Sequence, residues 1–388
     1  MGHSTPTRIN RSQTPPSLRC PTATTRFKRD AQGERPSLGQ KVRYCKDASA
    51  VVSAGGVATL VDLLSHPSAQ TKAAEALFRL AYDSSAACGA LLACDAIVPL
   101  ITVVGKAPSI AAQARACDVL AILATHESNV RDRVIAAGAI SPVIALLGPA
   151  RSQAHAARAL TALVASNRAD TAGTLAASDA IVAGGAVAPL TAMLASANIE
   201  APGCAAHALY HLARVRGDDE NEDADDLRTT FLSAGGVAPL VERLKMVNPI
   251  ECAATMNELV RWGPRARAAL VASGGAAILA DLIHRTGVTT AAVEHAWQAL
   301  RILAASKDAS LIAAPMLVKM MRRASSATDK AYAAWSIYNI VCRSDAAARE
   351  SFRAAGAMDA LMEMLASLNV PLPARQSAKL ALLALCKI

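Results

Sequence analysis

Three groups of residues have types and spacings that could do chemistry. The first is a glycine pair: residues 53–64 read SAGGVATLVDLL and residues 233–244 read SAGGVAPLVERL. Glycines ahead of a helix could cradle a phosphate, because free backbone N–H groups converge at a helix start. A dinucleotide fingerprint needs G-x-G-x-x-G between strand and helix, and a P-loop needs a following G-K-[ST]. Neither occurs in this chain, and the residues ahead of each pair are helical in pattern. The second group is His207 and His211 in HALYH, at the i, i+4 spacing of two metal ligands, but without the glutamate of H-E-x-x-H or an evident third ligand. The third is the acidic run 217–226, GDDENEDADD, with Asp218, Asp219, Glu220, Glu222, Asp223, Asp225 and Asp226. It has neither the internal glycine nor the closing glutamate of an EF-hand loop. It reads as an insertion loop, either plainly solvated or docking a basic segment from a partner or from this chain's own leader.

Catalysis has little support. G-x-S-x-G, H-E-x-x-H and kinase signatures are missing, and the remaining histidines and carboxylates are dispersed. Nine cysteines are scattered without a C-x-x-C pair, as expected of reduced thiols in an intracellular protein. The expectation is a non-enzyme with no catalytic residues, no cofactor and no metal.

Positioning any of these groups falls to an unusual core. Hydrophobic residues make up 53% of the 388 residues but aromatics only 3%. An interior of Ala, Leu, Val and Ile favours closely packed helices, since Ala is the best helix former and strands would want more rings and Thr. The net charge of +9 is unevenly spread. Residues 1–46 hold ten Lys and Arg against Asp30 and Glu34, and the rest of the chain is close to neutral. A basic, Ser/Thr/Pro-rich, disordered leader therefore precedes a body, 47–388, that is not expected to bind nucleic acid. The leader's composition is compatible with an organellar transit peptide, though it lacks an amphipathic stripe. N-myristoylation at Gly2 is disfavoured because Pro6 stands where Ser or Thr is wanted. The uncharged stretch Ala180–Ile199 imitates a membrane span, but Gly184, Gly185 and Pro189 interrupt it. It reads as two helices meeting at a break, so no membrane span is expected.

The break recurs. Aligning the first apolar residue after it gives Val57, Ile97, Ile140, Val187, Val237, Ala276, Ala314 and Met358, at intervals averaging about 43 residues. Each unit continues with an apolar helix, a polar link and an Ala-rich helix, and a shorter segment leads into the next break. Pro99, Pro142, Pro189 and Pro239 all fall two places after the aligned residue, in a first helical turn where the missing N–H costs nothing. The stripe Ala205, Ala208, Leu209, Leu212 is one buried helix face, and units this short bury such stripes only by stacking.

The element A-G-G/A-[VI]-x-x-L-[VI]-x-L-L resembles the armadillo repeat over about residues 47–388. Cys94-Asp95 in the second unit and Ala313-Ala314 in the seventh depart from it, toward HEAT repeats. The resemblance implies an all-α, right-handed superhelix of about eight units, three helices each, with the third helices lining a concave groove that binds partner proteins. In AYAAWSIYNIV, Trp335 and Asn339 are similar to the pair with which importin-α-type receptors hold an extended peptide, and Tyr338 lies beside them. His207 and His211 take the equivalent places in the fourth unit. Elsewhere those places hold Glu75 and Arg79, Asp118 and Ile122, Arg158 and Ala162, Thr255 and Glu258 or its neighbour, Gln298 and Ile302, or Leu380 and Ala384, so the receptor's repeated ladder is missing.

The leading expectation is thus a protein-binding scaffold or adaptor of the cytoplasm or nucleus, or of an organelle if the leader is a transit peptide. The alternatives are an importin-α-like transport receptor with an autoinhibitory leader, and a substrate-recognition subunit of a ubiquitin ligase. The closing helix SAKLALLALCKI lacks a polar cap. Either another chain covers it, giving a homo-oligomer, or the gene model is truncated.

Overall fold

The computed structural model describes residues 50–126, 128–165, 171–216, 226–246, 249–285, 287–305, 310–323, 327–343, 346–367, 370 and 372–386. The leader and residues 217–225 of the acidic run lie outside the described residues. Among those described there are helices and no strand.

The first unit contributes α1 (Gly56–Leu63) and α2 (Gln70–Asp83). The next three are α3 (Ser85–Ala93), α4 (Ile97–Lys106) and α5 (Ile110–His126); α6 (Ser128–Ala136), α7 (Ile140–Ala145) and α8 (Gln153–Val164); and α9 (Thr171–Ala183), α10 (Val187–Leu194) and α11 (Ala201–Arg216). The fifth and sixth are α12 (Asp226–Ser233), α13 (Val237–Arg243) and α14 (Ile250–Leu259), then α15 (Pro264–Ala272), α16 (Gly275–His284) and α17 (Thr290–Ala305). The seventh has only α18 (Ser310–Arg323) and α19 (Ala327–Arg343), and the eighth has α20 (Ala346–Ala354), α21 (Ala357–Ala366) and α22 (Leu372–Cys386). The units stack into an armadillo-like, right-handed superhelix.

The glycine pairs are corners. At the fifth break Gly235 has φ 69°, a left-handed conformation that costs a side-chain-bearing residue about 1–2 kcal/mol. Its neighbour Gly236 is needed for a different reason: a Cβ there would overlap the ring of Phe231. Phe231 packs edge-on against Trp262, ring centroids 5.5 Å apart, within the core. The corners bend the chain sharply, by 89° between α3 and α4 and by 79° between α9 and α10. The uncharged stretch 180–199 spans the second of these bends. No single helix among the described residues is long and apolar enough to cross a bilayer; three bent pairs reach that length only with both helices counted together.

The two departures from the repeat element have different outcomes. In the second unit Asp95 takes the left-handed place with φ 48° and the corner survives. In the seventh the expected break at Ala313-Ala314 is not there. Helix α18 runs through it, with Pro315 inside. Three helices per unit is therefore corrected to two at this point.

The third helices form a continuous layer in which α2, α5, α8, α11, α14, α17, α19 and α22 each pack on the next. Their buried faces are mostly alanine, for example Ala156, Ala157 and Ala159 in α8 and Ala205, Ala206 and Ala208 in α11. Small residues let neighbouring helices approach closely, and dispersion then acts over many atoms. Buried arginines stitch the outer helices. Arg131 donates Nη1 to Thr174 Oγ1 at 3.1 Å, and Arg228, at the same place in α12, donates Nη1 to the Trp262 carbonyl at 3.2 Å.

Candidate functional site

The third-helix layer carries His207, His211, Trp335, Tyr338 and Asn339, and in its first three units charged residues join neighbouring helices. Glu75 of α2 accepts from Arg79 Nε at 3.0 Å and pairs with Arg115 of α5. The Arg115 guanidinium also lies 4.8 Å from the centre of the Phe78 ring. Asp118 of α5 is buried and accepts from three sides: Arg115 Nη1 at 3.2 Å, His155 Nδ1 at 2.8 Å and Arg158 Nη2 at 3.4 Å. A carboxylate only accepts, so His155 Nδ1 carries the proton toward it. Arg158 continues the chain of charges to Glu200 at 3.5 Å. The groove positions of these units therefore hold the stack together. Sequence inspection named Glu75, Arg79, Asp118 and Arg158 only as places without Trp or Asn. The signal it passed over is their alternation of sign one repeat apart.

In the fourth unit the imidazoles of His207 and His211 meet edge to face, centroids 4.7 Å apart and Nε2 to Nε2 3.1 Å. That distance suits one shared proton. Tyr210 packs edge-on against His211 and lies 6.3 Å from His295 of α17. Burial, with help from His207 and the Arg214 cation, pushes His211 down to about 3 from the usual 6.5, and its Nδ1 is buried with no hydrogen-bond partner among the described residues. Burial also lowers His295. Among the described residues no group of three or more His, Cys, Asp or Glu stands where it could hold a metal ion.

Farther along, Thr255 Oγ1 donates to the Ala206 carbonyl at 2.8 Å, and Asn257 Nδ2 donates to Gln298 Oε1 at 3.0 Å. In the seventh unit Trp335 is 47% exposed on α19 while Tyr338 is partly buried against the core. Asn339 belongs to the same helix, but its side chain is outside what is described. Trp335 and His207 stand three units apart along the layer, so the nominated residues form two separate places rather than one site. Of the acidic run only Asp226 is described, exposed at the first turn of α12.

At the N-terminal end of the layer an open cleft of about 620 Å³ lies between α2 and α5. Val51, Leu60, Ala76 and Leu80 line it on the apolar side, with Lys72, Glu75, Arg79 and Arg115 supplying its charge.

This architecture is shared by solved structures. An engineered protein from a structural genomics consortium is 24% identical with TM-score 0.65, over 85% of this chain and 78% of its own. A second engineered protein is 26% identical with TM-score 0.53, over 64% of this chain and 96% of its own. A computationally designed armadillo repeat protein for modular peptide recognition is 19% identical with TM-score 0.50, over 74% of this chain and 99% of its own. No family model and no curated protein matches the chain. The fold is that of an armadillo-like helical repeat.

Proposed function

We propose that this chain is a non-enzymatic scaffold that holds an extended segment of a partner protein along its third-helix layer. The observation that carries the reading is the half-exposed indole of Trp335 on the third-helix layer. An exposed indole offers wide contact area at low entropic cost. The designed neighbour's stated purpose, modular peptide recognition, supports the reading on fold likeness. Catalysis would want an enclosed, water-excluding site, whereas the cleft described above is open. The importin-α-like alternative needs a recurring Trp and Asn ladder, and in the first three units charges bonded to one another stand at those positions. A subunit role in a ubiquitin ligase is compatible with the scaffold reading but has no observation of its own.

Panning a random peptide library on the full-length chain provides the test. Peptides recovered this way are expected to lose about tenfold or more in affinity with Trp335→Ala/Asn339→Ala, as for an interface anchor. Unchanged affinity for every recovered peptide would remove the seventh unit from the binding surface.

A further inference from the structure

The groove's charges are mostly committed to each other, but its N-terminal end has cations left over. Among the described residues Glu75 is the one carboxylate lining the cleft between α2 and α5, against Lys72, Arg79 and Arg115. Arg79 uses only its Nε on Glu75, and its side chain is 69% exposed, so the forked end of the guanidinium faces solvent. Lys72, one turn before Glu75, is exposed and makes no ion pair among the described residues. Beneath them, Leu60, Ala76 and Leu80 present an aliphatic floor that the neighbouring helices cover only partly. We propose that this cleft docks an acidic segment of a partner protein, with an Asp or Glu on Arg79 and Lys72 and an aliphatic side chain on the floor.

Charge and geometry both favour that occupant. A guanidinium edge takes a carboxylate through two parallel hydrogen bonds, and among the described residues Arg79 contacts Glu75 through Nε alone, which leaves its two Nη groups to a partner's carboxylate. Lys72 and Arg79 are two helical turns apart, about 10 Å along the axis, so one short acidic segment reaches both. This chain's own leader, ten basic residues against two acidic, carries the wrong sign for the rim. The inference rests on the groove reading above but is confined to one end of the groove.

The test uses the full-length chain and three short labelled peptides, alternating Leu with Glu, with Lys or with Gln, followed by fluorescence anisotropy. The Glu peptide is expected to bind, to weaken steadily with added salt, and to lose about tenfold or more with Lys72→Glu/Arg79→Glu, because repulsion replaces attraction at both contacts. That variant loses the Arg79–Glu75 pair and is expected to melt somewhat lower, so its fold at the assay temperature is checked by circular dichroism, and Trp335→Ala/Asn339→Ala should leave Glu-peptide binding intact. Equal or tighter binding of the Lys or Gln peptide would overturn the proposal, as would indifference to the charge reversal. Binding that appears only after residues 1–46 are deleted would make the leader the occupant and also overturn it. Peptides recovered by panning that still depend on Trp335 would leave the groove reading standing in each of those cases.

Discussion

Asp118 and His211 illustrate two opposite ways to place a titratable group in a helical stack. Asp118 is buried yet accepts hydrogen bonds from three donors, Arg115, His155 and Arg158. His211 is packed among His207, Tyr210 and Arg214 with no partner for Nδ1 among the described residues, so its charged form is disfavoured. The consequence for stability has a definite sign. In the unfolded chain His211 takes up a proton near pH 6.5, whereas in the fold it does so only near 3. The unfolded state binds more protons in that window, so stability is lost as pH falls from 6.5 toward 3. His211→Leu should flatten the decline in thermal midpoint between pH 6.5 and 4.5 relative to the parent. Identical pH profiles for the two proteins would contradict the assignment.

At the scale of elements, the left-handed corner controls how the first two helices of each unit meet. Asp95 fills that corner at a cost, and its compensation is weak: the contact to Arg133 is 3.3 Å long and its Asp95 side chain is almost fully in water. Exposed pairs of this kind contribute about 0–1 kcal/mol, while a left-handed residue with a Cβ costs about 1–2. Asp95→Gly is therefore expected to stabilise the chain by about 0.5–1 kcal/mol, read as a higher urea midpoint with an unchanged slope. A lower midpoint would mean that the Arg133 contact outweighs the backbone strain. The seventh unit shows the other solution, in which the corner is abandoned and one helix, α18, spans the position of the break.

For the whole molecule, the last unit exposes Met362 on α21 and Leu372, Leu380 and Leu383 on α22, the last of these 64% open. Apolar patches of this kind mark interaction surfaces. Self-association through this face predicts a light-scattering mass above the 40.1 kDa of one chain, falling to one chain in Leu380→Glu/Leu383→Glu. A single-chain mass for the unaltered protein would refute it. At the same scale, the two proposed contacts lie toward opposite ends of the third-helix layer, so for a partner that spans both, losses at the Trp335 end and at the Lys72 end should add.

The repeat, its corners and the helix starts at Pro99, Pro142, Pro189 and Pro239 were legible in the sequence, because backbone chemistry imposes them locally: glycine for left-handed turns, proline for first turns, alanine for close helix contact. The placing of Trp335 and of His207 with His211 on third helices was legible for the same reason. Three things waited for the tertiary structure. The fusion of the seventh unit depends on whether the neighbours accommodate one continuous helix across Ala313-Ala314. The pairing of Glu75 with Arg115, and of Asp118 with His155 and Arg158, joins residues about one repeat apart whose side chains meet only when the units stack. The cleft at Lys72 and Arg79 is a property of which charges that pairing leaves unused, and no single helix encodes it.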